Sequence, residues 1–175
     1  MTKETEIPTA NIPQQASVQP KDAETNEIKP LHITEDDKDR FLECIATGEA
    51  FSYSFGADTK FPFTVRDKTV KENNIITRSL DKLMAKGKIL NWTEYANAYN
   101  ACSCYYQVVE INGVAQPKVY PTAKNEDSFN VVNEFNESLL GQFSSSQFFI
   151  VMMQVSRFNK CILDLSAEIV TDPNF

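Results

Sequence analysis

Apolar residues are sparse and unpatterned over the first thirty positions, where Pro8, Pro13, Pro20 and Pro30 stand among Thr, Glu, Gln, Lys and Asn without a single aromatic residue. Such a segment cannot bury enough surface to offset its ordering entropy, so residues 1–30 are expected to form a disordered or extended arm. From Leu31 the pattern changes. Thr34 can cap a helix together with Asp37, Phe41, Leu42 and Ile45 mark one face of it, and Gly48 supplies a left-handed exit. Apolar positions then alternate: Phe51, Tyr53 and Phe55 against Ser52 and Ser54, then Phe61, Phe63 and Val65 against Pro62 and Thr64, with a turn from Gly56 to Lys60. This predicts a β-hairpin at about 50–66 whose aromatic face needs a cover of helices. Pro62 has no N–H to give to a ladder, which places the second strand at a sheet edge.

Helical spacing returns with Thr69 and Glu72 as a second capping box, followed by Ile75, Ile76, Leu80, Leu83 and Met84, and Gly87 as a stop. Asn91 with Glu94 opens a third helix, in which Tyr95, Tyr99, Cys102 and Tyr106 share one side while Ala96, Ala98 and Ala101 keep a neighbouring face narrow. Trp92, beside that cap, reads as a helix-entry anchor in the manner of a hydrophobic staple. Asn112-Gly113, flanked by Val108, Val109, Ile111 and Val114, signals a small hairpin or an ordered loop, with the hairpin favoured. Asp127 to Leu140 reads as a short helix closed by Gly141, and Ser144 to Ser146 cap the longest helix, Gln147 to about Val170. Its main stripe is expected to hold Phe148, Met152, Val155, Ile162, Leu165 and Ile169, leaving Phe149, Val151, Phe158 and Leu163 outside. A helix apolar on more than one face is either central in the core or offers a surplus face to a partner. The expected fold class is α+β, predominantly α: about five helices packed with one or two short antiparallel β-hairpins, forming one domain over 31–175.

Composition narrows the function. An apolar fraction of 42% with twelve phenylalanines supplies a real core for a chain of 175 residues. The net charge is −7 and the basic residues are scattered singly, so neither nucleic acid nor a membrane surface is an expected partner. The longest strongly apolar run, Phe148 to Met153, is far short of the ~20 residues of a membrane-spanning helix. Met1 to Ala10 lack the apolar stretch of a secretion signal, so secretion is not expected.

Four cysteines in apolar surroundings read as reduced core thiols, and neither Cys102-x-Cys104 nor the sole histidine, His32, fits zinc-ligand spacing. His32 sits at the arm boundary with no triad around it. Glu35, Asp36, Asp37 and Asp39 fall in a first helical turn, where carboxylates favour the dipole. The five glycines are each used by a turn or a helix end, and none builds a phosphate loop. The tyrosines and hairpin phenylalanines lack the basic neighbours of a base-stacking platform. No catalytic, cofactor-binding or metal site is therefore expected, and protein binding is the function class that remains. The candidate contact residues are Phe61, Phe63 and Val65 on the hairpin edge, with Phe149 and Phe158 on the surplus face of the last helix.

The stretch from Leu31 to Leu83 runs through a capped helix, Gly48-Glu49-Ala50-Phe51, the aromatic hairpin, Phe63-Thr64-Val65-Arg66-Asp67, and a capped helix beginning Thr69-Val70-Lys71-Glu72. This order resembles the N-terminal part of small tail assembly chaperone-like proteins of tailed bacteriophages, and the closing Asp172-Pro173-Asn174-Phe175 is similar to ends of phage structural cassettes. The resemblance covers under a third of the chain, and the segment before Leu31 departs from the compact starts of that family. It implies a non-enzymatic helper in the host cytoplasm that binds other phage proteins, the tape-measure protein and tail-tube subunit, holding their apolar surfaces until polymerisation. No residue-level site transfers with it. The alternative is a stoichiometric virion subunit of the neck, tail or baseplate, its arm ordered by neighbours. Either role is compatible with a homo-oligomer.

Overall fold

The computed structural model describes residues 31–171; the expected arm at 1–30 and the closing Asp172-Pro173-Asn174-Phe175 lie outside the described residues. Two capping boxes organise the first half. Thr34 accepts from the Asp37 N–H while the Asp37 carboxylate accepts the Thr34 N–H, opening α1 (Glu35–Thr47), which ends at Gly48 with φ 75°. Thr69 and Glu72 repeat the arrangement for α2 (Val70–Ala85). Between them β1 (Ser52–Phe55) and β2 (Phe63–Arg66) pair antiparallel, Tyr53 opposite Val65 and Phe55 opposite Phe63. The turn after β1 requires its glycine: Gly56 has φ 66°, and a Cβ there would lie 2.7 Å from Thr59 Oγ1 and 3.0 Å from the Phe61 carbonyl oxygen.

The Asn91 side chain caps α3 (Trp92–Gln107), which packs on α2 and continues without a break into β3 (Val108–Ile111). Asn112 and Gly113, with φ 51° and 77°, make the tight turn to β4 (Val114–Ala115), because both central residues of such a turn need positive φ. The sheet order is β1-β2-β3-β4 with every neighbouring pair antiparallel. The two hairpins thus join through β2 and β3, and the α2–α3 pair is their connection. This corrects the expected edge position of the second hairpin strand, since β2 is an interior strand. Pro62 lies just before the first paired residue, so its missing N–H breaks no ladder bond, and its carbonyl accepts the Asn112 N–H at 2.8 Å.

The expected helix from Asp127 to Leu140 starts later and is irregular. Asn125 ties the preceding loop into turns by accepting from the Thr122 N–H at 2.6 Å, and Asn130 supplies the cap at 3.0 Å to the Val132 N–H. There follow α4 (Val131–Glu134), a π-helical turn (Phe135–Leu139) and a 3-10 turn (Leu140–Gln142). Ser144 and Gln147 form a third reciprocal cap for α5 (Ser145–Thr171).

The buried stripe of α5 is Val151, Val155, Phe158, Cys161 and Leu165. Val151 and Phe158 therefore belong to the core side, while Phe148, Met152, Ile162 and Ile169, expected as its centre, are half-buried flanks. Around this helix the core is centred on the end of α3, where every residue from Cys102 to Val108 is buried between α2, α4 and α5. Phe51 links the sheet side to the helices, its ring 5.5 Å from Phe41 and stacked 6.0 Å from Phe158. Among the described residues the fold is α+β and mostly helical, with five α-helices and one four-stranded antiparallel sheet made of two hairpins.

Candidate functional site

The densest group of polar side chains lies where β2 meets α2. Arg66, at the end of β2, reaches Glu72 through two bonds, Nη1 to Oε2 at 3.0 Å and Nη2 to Oε1 at 2.5 Å. The Glu72 side chain is 1% exposed and also accepts from the Tyr120 hydroxyl at 2.6 Å and the Thr69 N–H at 2.9 Å. Burial alone would push this carboxyl up, but the bonds from Arg66, Tyr120 and Thr69 prevail and hold it below the usual carboxylate range. Nearby, Lys118 donates to the Val108 carbonyl at 2.6 Å and lies over the Tyr105 ring, and burial together with the Arg66 charge brings it down to about 8. Lys68 reaches Ser103 Oγ at 3.2 Å over the Tyr99 ring and is likewise lowered by burial.

A carboxylate occupied by four donors has no acceptor position left for a substrate. Among the described residues no buried side-chain nitrogen or oxygen lacks a hydrogen-bond partner. The cluster is a clasp that fastens β2, α2 and the segment around Tyr120, and it does not converge on open space. The thiols are equally committed: burial pushes Cys102 and Cys104 up to about 12, and Cys104 points at the Met152 sulfur 3.1 Å away. No group of three or more His, Cys, Asp or Glu side chains among the described residues is placed to hold a metal ion. His32 is exposed, and its carbonyl accepts from the Tyr53 hydroxyl.

The clefts are of mixed charge, including an open one of about 530 Å³ along α2 that holds Lys71, Arg78 and Glu126. One of about 260 Å³ lies between residues 31–38 and the second half of α5, where Lys38 and Lys160 alternate with Asp164 and Glu168. Another of about 250 Å³, between α2 and the loop before Phe129, is bridged by the Arg78–Glu126 pair at 3.3 Å. None gathers groups of one charge or one chemistry.

The five residues expected at contact surfaces are divided by the fold. Phe149 is 64% exposed. Phe61 is half-buried, held between the rings of Phe63 at 5.6 Å and Phe143 at 5.8 Å. Phe63, Val65 and Phe158 are core residues, the first two because β2 is interior and the third because it faces Phe51. These three are corrected: their side chains are buried in the core and are not exposed on a surface.

The accessible apolar surface lies elsewhere. Along the outer side of α5, Phe149 is joined by Ile150, Met153, Leu163 at 70% exposure and Val170 at 85%. A second patch consists of Leu90 and Trp92 at the α2–α3 turn, where Trp92 is 73% exposed with its ring against Tyr95. The staple expected at Trp92 does not form, because a staple joins the residue before the cap to the fourth helical position and Trp92 is the first. For α5 the usable signal was a second four-and-three spacing on the side opposite the core stripe.

These features define a mostly helical α+β protein whose described buried polar side chains are satisfied internally and whose free apolar surface runs along its longest helix. None of its described helices is long and apolar enough to cross a membrane. Comparison with known protein families, with characterised proteins and with solved structures returns no match.

Proposed function

We propose that this protein works by binding other proteins, as a non-enzymatic morphogenesis factor of a tailed bacteriophage, most like a tail assembly chaperone. The observation that carries the binding role is the exposed apolar side of α5, from Phe149 to Val170, together with the Leu90–Trp92 knob. Surface patches of this kind on a charged body mark interaction sites. A chaperone that shields subunits before polymerisation needs adhesive faces and no turnover chemistry, and the polar groups described above are spent on holding the fold. Support for the phage setting is the resemblance between Leu31 and Leu83.

The test is a pull-down of the tagged chain from infected cells combined with mass spectrometry of purified particles. The expected outcome is recovery of a tail-tube or tape-measure subunit in the pull-down and absence of the chain from particles. Leu90→Glu combined with Trp92→Glu is expected to lower that recovery about tenfold or more, the scale of a lost aromatic anchor. The chain in particles at fixed copy number would assign it to the virion, and a pull-down free of phage proteins would overturn the reading.

A further inference from the structure

Seven positions of α5, Phe149, Met153, Ser156, Lys160, Leu163, Ala167 and Val170, follow one another at alternating spacings of four and three, and all seven are exposed. That alternation is the seam of a two-stranded coiled coil. A helix that packs only within its own domain needs one such seam, and α5 already has it on the opposite side in Val151, Val155, Phe158, Ile162, Leu165 and Ile169.

We propose that the outer seam of α5 pairs antiparallel with the same seam of a second copy of this chain. The proposal rests on the adhesive role given to that face above and names its occupant, leaving Leu90 and Trp92 for other proteins. The choice of a second copy follows from self-complementarity. Set against itself in the antiparallel sense about Phe158, the seam brings Phe149 opposite Ala167, Met153 opposite Leu163 and Ser156 opposite Lys160, and the two-fold axis repeats each pair. The largest side chain meets the smallest, two unbranched or γ-branched aliphatic side chains meet each other, and the one charged residue meets a hydroxyl that accepts from its ammonium. A parallel pairing would instead stack Lys160 on Lys160, with like charges repelling inside the seam. With each apolar side chain carrying roughly 150–200 Å², the exposed fractions of the four large seam residues and the adjoining Ile150 leave about 500 Å² per copy, hence on the order of 1,000 Å² for two. With the flanking polar positions this approaches the ~1,200 Å² of a specific, reversible interface.

Sedimentation equilibrium of the full chain is expected to show a reversible monomer–dimer equilibrium. Phe149→Asp combined with Leu163→Asp is expected to weaken it by about a hundredfold or more while leaving the circular dichroism spectrum, and the melting temperature at concentrations where the native chain is monomeric, unchanged. Orientation is read by cross-linking in a Cys44→Ser background. Met153→Cys and Leu163→Cys introduced together should give a disulfide-linked dimer, and either one alone should not, since identical positions lie ten residues out of register at roughly 15 Å. A cross-link in a single variant, a monomer at every concentration, or a dimer indifferent to the two aspartates would each overturn the proposal. If the chain stays monomeric and Phe149→Asp abolishes phage-partner recovery, self-pairing falls and the binding role stands.

Discussion

Glu72 joins three parts of the chain: the capping box of α2, Arg66 on β2, and Tyr120 beyond β4. Removing its charge leaves Arg66 partly buried without its counter-ion, so Glu72→Gln is expected to cost about 3 kcal/mol at neutral pH, measured by urea unfolding. The pH dependence has a definite sign. The folded carboxyl titrates below its unfolded value, so its contribution is complete above the unfolded pKa and is lost as pH falls through the folded pKa. The stability gap between the native chain and Glu72→Gln should therefore be constant above about pH 6 and close in acid. A gap that persists unchanged in acid would show that the ion pair is not its source. The Thr69–Glu72 cap is legible in sequence because its partners are three residues apart, whereas Tyr120, 48 residues from Glu72, is not.

Among elements, local signals placed the helices and tertiary pairing set their phase. Thr34, Thr69, Asn91 and Ser144 mark helix starts that the backbone follows, because each satisfies N–H groups that a helix leaves unpaired. The position of β2 escaped that reading, since its second neighbour, β3, arrives only after the whole α2–α3 pair. Inside the core, α3 and α5 share a reciprocal amide pair: fully buried Gln107 donates to Asn159 Oδ1 at 2.6 Å and accepts from Asn159 Nδ2 at 3.4 Å. Asn159→Leu strands that amide and is expected to cost about 1–3 kcal/mol, whereas adding Gln107→Leu should recover much of it. A double-mutant cycle in denaturant measures the difference. Additive losses would show that the two amides do not act as a pair.

For the molecule as a whole, α5 divides core from surface, and two phenylalanines nine residues apart report the two sides. Phe158→Ala empties space between Phe51 and the helices and is expected to cost about 3–5 kcal/mol. Phe149→Ala removes only exposed surface and should change stability within about 0.5 kcal/mol. Thermal melting of both variants, at concentrations low enough to keep the chain monomeric, compares them directly. A comparable loss at Phe149 would mean that its face is covered within the same copy.

Helix existence, the first hairpin and the α+β class were determined by sequence alone, and Asn112-Gly113 favoured the second hairpin over a loop, because caps, turn residues and periods of 3.6 and 2 act over a few neighbouring residues. Tertiary structure alone decided which apolar residues are spent on the core. Phe63 and Val65 read in sequence as a hairpin edge and Phe158 as part of a surplus helix face, yet all three are buried, while Leu163, Val170 and Trp92 stay in solvent. The physical reason is that burial depends on what lies opposite, and what lies opposite here comes from segments dozens of residues away.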